Sequence, residues 1–286
     1  MPSRHIAGAS SARDLELEQR DLFGGEPLAH RHEATLGDRV TAGSDNVPCM
    51  TVLAPILART PVSRIDDVLA RMQEIEAALP PTDGIACFNR LYFAVTTNVV
   101  AAEQSGLFAS VAFLSALDVA FGNLYFDALS KLEAGAAAPR AWAPLFSARA
   151  RTDIAPLQFA LAGMNAHINR DLPIGLVQTF TALGIEMARP SAQATDYDKV
   201  NDVLASTEAA VAQTYFTPLL ESLHRDFDGV DDIAANWSVR EARSAAWTNG
   251  EALWHLRGDK ALSQSFVDVL DGTAGFAGRG LLIPTG

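Results

Sequence analysis

The sequence predicts an all-α fold: a single-domain multi-helix bundle with mixed packing, preceded by a loop-rich N-terminal arm. Three observations support this prediction. Alanine is abundant, apolar residues recur at intervals of three and four, and the β-branched residues never form an alternating run. Residues 1–60 are rich in Gly, Ser, Asp and Pro, which is typical of an irregular arm. No linker divides residues 61–286, so they form one predicted helical domain.

The helices are predicted in order along this domain. The first begins at Ser63, where Asp66 completes a capping-box pattern, and the next two cover about residues 85–103 and 110–132. A central segment spans 152–186, and Pro173 is expected to kink or break it because proline lacks an amide proton. Later helices are predicted from Thr195 or Asp196 to 223, over 237–256 and over 261–269, followed by an extended Gly-rich tail.

Charge and composition exclude several classes of function. The net charge of −12 disfavours nucleic acid and anionic lipid as partners, and two cysteines are too few for a disulfide framework. No run of about 18 uninterrupted apolar residues predicts a membrane span, so we expect a cytoplasmic protein. No P-loop, GxGxxG or GxSxG motif is present, so no nucleotide cofactor is predicted. The oligomeric state is left open.

The segment GMNAHINRDLP, residues 163–173, places polar side chains inside an otherwise apolar run. His167 and Asp171 are four residues apart, so in a helix they share a face. Both could bind one divalent metal ion, or Asp171 could orient His167 as a general acid or base. The simplest alternative is a structural hydrogen bond. The crowding of polar groups in apolar surroundings favours a site, because buried polar groups are unfavourable unless paired.

Asp118 is the predicted third catalytic participant, as a further ligand or a second carboxylate. It lies in LSALDVAFGNLYF, where Gly122 inside a helix indicates the close approach of another backbone or of a ligand. The alternative is that Asp118 belongs to a solvated stripe with Asp127. The side chains expected to bind polar groups of a small-molecule substrate, or to wall its pocket, are Arg170, Asn165, Asn169, Asn123, Asn89, Tyr92, Trp247 and Glu251.

Five stretches together resemble a bacterial domain family of unknown function over about residues 65–284: IACFNRLYFAVT, FLSALDVAFGNLYFDAL, APLQFALAGMNAHINRDLP, KVNDVL and AWTNGEALW. The resemblance implies one helical domain and no particular activity. His167, Asp171 and Pro173 also resemble a piece of the zinc-dependent phospholipase C group, in which such a His and Asp bind metal. The further His ligands of that group have no counterpart at matching spacing here.

These observations give three functional hypotheses. The first is a small-molecule enzyme with an enclosed pocket between helices, which performs metal-assisted hydrolysis of an ester or phosphoester. The second is a metal-free cyclase, isomerase or lyase of a biosynthetic pathway that uses the His–Asp pair for proton transfer. The third is a binding protein that performs no chemistry.

Overall fold

The computed structural model describes residues 52–211 and 238–284. The chain divides into two units, Met1–Pro48 and Cys49–Gly286, and every described residue belongs to the second. No strand occurs within the described ranges, and most of their residues are helical, which confirms the predicted all-α class. The predicted arm up to residue 51 and the end of the helix predicted over 195–223 lie outside the described residues.

Helices and one π-helical turn make up the described unit. In chain order they are α1 (Ala54–Leu57), α2 (Ile65–Ala78), α3 (Gly84–Gln104), α4 (Val111–Glu133), α5 (Ala143–Ala148), α6 (Pro156–Ala166), the π-turn (His167–Asp171), α7 (Leu172–Leu183), α8 (Ala192–Val211), α9 (Val239–Leu256) and α10 (Lys260–Leu281).

The continuous run of α6, the π-turn and α7 forms the centre of the bundle. Its first half packs mainly against α3 and α10, and its second half packs mainly against α4 and α9. This central run is almost entirely buried because its sequence is apolar on every side. A polar side chain in its middle is therefore surrounded by protein on all faces.

Pro173 lies in the first turn of α7 and does not end the central run. The amide of Leu172 donates to the His167 carbonyl, five residues earlier, so the helix widens by one residue immediately before the proline. Proline cannot donate to the carbonyl four residues before it and its ring clashes there, and the wider turn accommodates both effects. The predicted kink or break is thus replaced by a π-turn.

Several helix boundaries differ from the prediction. Ser63 caps nothing, because α2 begins at Ile65 and its N-cap residue Arg64 makes no side-chain capping bond. Asp196 does not begin α8 either: the helix starts at Ala192, and the Asp196 carboxylate accepts a hydrogen bond from the Ser110 amide before α4. Short polar side chains bind backbone amides in several geometries, and sequence spacing alone does not distinguish them.

The tail predicted to be extended is helical, since α10 continues to Leu281 through four glycines. Gly275 explains part of this pattern, because a Cβ atom there would lie 2.4 Å from the backbone carbonyl oxygen of Arg140. The glycine permits α10 to cross the chain just before α5. Burial against a neighbouring element therefore outweighs the low helix propensity of glycine.

Gly275→Ala is expected to lower the free energy of unfolding by about 1–3 kcal/mol, because a backbone carbonyl cannot move aside as a side chain can. Gly280→Ala is the matched control in the same helix. Its Cβ atom would meet nothing within 4 Å, so alanine should leave stability unchanged or raise it. Urea denaturation of the three proteins measures both effects, and equal midpoints for the two variants would contradict the prediction.

Two described helices, α3 and α4, are long and apolar enough to cross a membrane, with a mean hydropathy of 1.2 in each case. In the fold they are core helices, and 44% and 39% of the residues in those windows are buried. Core helices of proteins without membrane spans meet the same criteria, so this is weak evidence for a membrane location.

Candidate functional site

The site begins with the predicted pair, which the π-turn brings into contact. His167 Nδ1 lies 3.1 Å from Asp171 Oδ2, and both side chains are almost fully buried, with 1% and 0% exposed. A carboxylate accepts hydrogen bonds, so Nδ1 carries the proton and donates it. The second ring nitrogen, Nε2, is then left with its lone pair.

Asp171 is held by two further side chains. The Trp142 indole Nε1 donates to Asp171 Oδ2 over 3.0 Å, and Arg170 Nη1 donates to Oδ1. Arg170 Nε also lies 3.1 Å from Asp271 Oδ1 in α10. These contacts use both oxygens of the Asp171 carboxylate and fix its orientation toward the imidazole.

The environment sets the charge of each member of the pair. Burial of the His167 ring lowers its pKa below the usual 6.5, and the hydrogen bond with Asp171 offsets only part of that effect. Burial alone would raise the pKa of Asp171, but the charge of Arg170 and the bond from His167 reverse this effect and lower it. At neutral pH the pair therefore consists of a neutral imidazole and a carboxylate.

Aromatic rings surround the imidazole. The Phe121 ring stacks on it with centroids 3.4 Å apart and planes 6° apart, and the Tyr92 ring meets it edge-on at 4.4 Å. These contacts prevent the ring from rotating away from Asp171. The edge of the ring that carries Nδ1 points toward Asp171, so the opposite edge, which carries Nε2, points away from Asp171.

A partly enclosed cavity of about 50 Å³ lies beside the imidazole, between α3, α4, the central run, α8 and α9. This volume holds a few water-sized groups. His167 is among the lining residues, whereas Asp171 and Trp142 are not, so the ring separates the cavity from its own carboxylate partner. The walls are mainly apolar; the polar or titratable lining residues are Tyr92, Thr96, Asp118, His167 and Arg243.

Three polar atoms of the lining residues are buried and lack a hydrogen-bond partner: His167 Nε2, Asp118 Oδ2 and the Tyr92 hydroxyl, which lies near Thr96 without a bond of normal geometry. Such atoms are rare in folded proteins, because each one destabilises the fold by about 1–3 kcal/mol. Three around one cavity are a concentration that apolar packing does not explain.

The Asp118 side chain is half-buried with its Oδ2 atom shielded from solvent, and this burial raises its pKa to about 8, with a smaller contribution from the charge of Glu103. Arg243 acts in the opposite direction. The carboxyl group therefore holds a proton at neutral pH and is available as a donor. Burial also raises the pKa of Tyr92 well above its usual value, so its hydroxyl stays protonated.

Arg243 is the charged lining residue that the sequence analysis missed. Its guanidinium lies 4.2 Å from the centre of the Tyr197 ring, donates from Nε to Asn201 Oδ1 over 2.9 Å and donates from Nη2 to the Tyr197 carbonyl over 3.0 Å. A signal existed in the sequence: Arg243 occupies the same helical face as Val239 and Trp247, where an apolar residue is expected.

The structure places most of the other predicted site residues outside the cavity. Asn165 binds the Ala274 carbonyl and accepts from Asn169, which ties the π-turn to α10. Asn123 makes two hydrogen bonds with the backbone of Val62, and Asn89 donates to the Met72 carbonyl. These amides join helices and connections to one another.

Trp247, Glu251 and Arg170 were also predicted to contact a substrate, and they too lie outside the cavity lining. Trp247 donates to Glu251 over 2.7 Å and packs on Tyr197 and Phe180, so the indole belongs to the core. Arg170 binds carboxylates of the protein and is absent from the cavity lining. Gly122 faces α2 and admits Val68, whose Cγ1 would lie 2.8 Å from an added Cβ atom.

The donors present fit a metal ion poorly. Among residues 52–204 and 238–284, whose side chains the structure describes, no three His, Cys, Asp or Glu side chains are grouped to hold one. Asp171 already uses both oxygens, and His167 Nδ1 faces Asp171. A metal ion bound by both members of the predicted pair would have to replace these contacts, including the pairing with Arg170.

Asp118→Asn is expected to stabilise the protein above neutral pH. The folded state keeps the Asp118 proton up to about pH 8, whereas the unfolded chain releases it near 3.8, so the contribution of Asp118 to stability falls as pH rises between these values. Asparagine has no such dependence. We expect a gain of about 1–3 kcal/mol at pH 8 and little change at pH 4, measured by urea denaturation.

A gain of equal size at pH 4 and pH 8 would contradict this account. Asp127→Asn is the control in the same helix: its carboxylate is exposed and pairs with Lys131, so its removal should change stability by no more than about 0.5 kcal/mol.

Comparison with known families gives one result. Residues 65–284 match the profile of a Family of unknown function (DUF5995), close to the limits expected from the sequence. No curated protein and no solved structure matches the chain, so the likeness to zinc-dependent phospholipase C gains no support.

Proposed function

For this chain, which belongs to the Family of unknown function (DUF5995), we propose an enzyme that moves protons on a small molecule inside the cavity. The single observation that carries the proposal is the set of three unpartnered atoms around one cavity: an imidazole nitrogen, a carboxyl oxygen and a phenolic hydroxyl. These three groups are the ones proteins use for general acid–base chemistry.

His167 is the proposed base. Its Nδ1–H bond to Asp171 fixes the tautomer that leaves the Nε2 lone pair free, and Asp171 stabilises the imidazolium that forms when Nε2 takes a proton. The lowered pKa keeps the ring neutral before the reaction. Trp142 and Arg170 hold the carboxylate in place and act as positioning residues.

Asp118 is the proposed acid, and Tyr92 is a second donor. In the step we propose, Nε2 takes a proton from a C–H or O–H group of the substrate, and Asp118 gives a proton to another atom of the same molecule. The composition of the substrate is unchanged, so the reaction class is isomerisation. Cyclases and lyases use the same pair when the protonated atom belongs to a closing ring or to a leaving group.

The metal-assisted hydrolase expected from the sequence has less support. Within the described residues, only His167 Nε2 and Asp118 offer metal-ligating atoms to the cavity, and a catalytic zinc site usually has three protein ligands. A binding protein is the second candidate, favoured by the small volume of the cavity. It would bind a ligand at the same atoms and release it unchanged.

Deuterium exchange tests the proposal without knowledge of the product. The protein is incubated in D₂O with a panel of small ketones, aldehydes and carboxylic acids, and loss of C–H signals is followed by ¹H NMR. An acid–base enzyme should exchange the acidic C–H of at least one compound faster than buffer does. A compound that binds, as shown by line broadening, and never exchanges identifies a binding protein.

A further inference from the structure

Arg243 is a buried cation that faces the cavity, and only 7% of it is exposed. Its hydrogen-bond acceptors, Asn201 Oδ1 and the Tyr197 carbonyl oxygen, are both neutral. Among residues 52–204 and 238–284, whose side chains the structure describes, no carboxylate lies within 4 Å of its guanidinium nitrogens, and Nη1 makes no hydrogen bond. Among those side chains, the buried charge has no counter-ion in contact with it.

Two acids act on Arg243 from a greater distance, and neither neutralises it. Asp118 lines the same cavity but holds its proton at neutral pH. Asp198 is half exposed and forms its own ion pair with Arg189 at 2.6 Å. The described groups around Arg243 thus leave its positive charge without an ionised partner in contact at neutral pH.

A buried charge without a partner is strongly unfavourable, and proteins rarely keep one that has no function. Arg243 and the proposed catalytic groups line the same cavity. From this arrangement we infer that the natural substrate is a small monocarboxylate whose anionic group Arg243 neutralises, an inference that rests on the catalytic function proposed above. The Nη1 atom of Arg243 would donate to a carboxylate oxygen, and the protonated Asp118 would stay available as the acid.

The remaining walls restrict the rest of the molecule. The described lining contains no second lysine or arginine. The cavity can therefore neutralise one anionic group of a substrate and offers no described cation for a second. Leu114, Leu117 and Val200 are among the apolar residues that line the cavity, which favours a short hydrocarbon chain beyond the carboxylate. The His167 ring lines the same space, so the proposed base and the proposed anion site share one cavity.

Propionate is a suitable probe, and propionamide is its uncharged counterpart of nearly the same shape. Titration of each into the full-length protein at pH 6.5, followed by NMR, should show propionate binding at least about tenfold more tightly. Arg243→Met keeps the side-chain length and should abolish this preference. Arg189→Gln is the matched control, because Arg189 also lies over an aromatic ring, that of Trp247, but does not line the cavity.

A second measurement does not depend on how well Arg243→Met folds. Ionisation of Asp118 would repel a carboxylate, so propionate affinity should fall as pH rises past about 8. Glu103, whose pKa burial raises to about 7, adds negative charge near Asp118 over the same range. Asp118→Asn should keep the affinity at pH 6.5 and lose most of the fall above pH 8.

Four outcomes overturn the inference. They are equal affinity for propionate and propionamide, a preference retained in Arg243→Met, tighter binding of inorganic phosphate than of propionate, and a pH profile unchanged by Asp118→Asn. The two proposals can fail separately. Deuterium exchange confined to uncharged compounds would refute the carboxylate substrate and leave the proposed acid–base function standing. Selective propionate binding with no exchange of any compound would refute the acid–base function and leave the carboxylate site standing.

Discussion

Replacement of His167 by Gln is expected to lower the rate of C–H deuterium exchange by about 10²- to 10⁴-fold, the usual contribution of a positioned general base. Glutamine fills most of the volume of the imidazole and can still bind Asp171 through its amide. It has no lone pair basic enough to accept a proton from carbon. The loss should therefore appear in the exchange rate more than in the affinity for the exchanging compound.

Two measurements separate this result from simple damage to the fold. The ¹⁵N spectrum of the wild-type imidazole should show a neutral ring protonated at Nδ1 at pH 7, because burial lowers the pKa of His167. A positively charged ring at that pH would be incompatible with the proposed base. Urea denaturation of His167→Gln supplies the other control, since a variant that unfolds under the assay conditions says nothing about catalysis.

Asp171→Asn is expected to lower the free energy of unfolding by about 3–5 kcal/mol at neutral pH, the range found when one member of a buried ion pair is removed. The change leaves the Arg170 guanidinium, 14% of whose side chain is exposed, with Asp271 as the one carboxylate in contact with it among the described side chains. It also weakens the acceptor for Trp142 and His167. A variant that loses less than about 1 kcal/mol would show that Asp171 is not the anchor described here.

The lowered pKa of Asp171 also predicts how this loss of stability varies with pH. Because the pKa of Asp171 is lowered in the folded protein, its contribution to stability is present above the ordinary value of 3.8 and is lost as pH falls below that value. The difference between wild type and Asp171→Asn should therefore be largest near neutral pH and shrink on acidification. Urea denaturation at pH 7, 4 and 3 measures it. The exposed Asp127→Asn variant serves again as the control.

The all-α class and the position of the pair were predictable for different reasons. Helical periodicity is a local property of the chain, so α3, α4 and α9 begin and end close to the predicted residues. The pair of His167 and Asp171 needed only the spacing of two residues in one helix. Both inferences depend on short stretches of sequence.

The residues that complete the site come from distant parts of the chain, and this is why the sequence analysis missed them. Trp142 reaches Asp171 across 29 positions, and Arg243 reaches the cavity from a helix 76 positions after His167. The asparagines that were predicted to bind substrate lie outside the cavity for a related reason. An asparagine in an apolar helix indicates only that its amide needs a hydrogen-bond partner. Here the amides of Asn89, Asn123 and Asn165 form hydrogen bonds with backbone groups of neighbouring segments.

The π-turn makes the length of the central run as important as its composition. The π-turn holds one residue more than an α-helical turn and can absorb the loss of one residue by closing to an α-turn, whereas a deletion within α6 or α7 would rotate one half of the run against the other by about 100°. The two halves pack on different neighbours and could not both keep their contacts. Insertions and deletions should consequently be excluded from both halves even where substitutions are tolerated, and relatives should align without a gap from Phe159 to Ala166 and from Leu172 to Phe180.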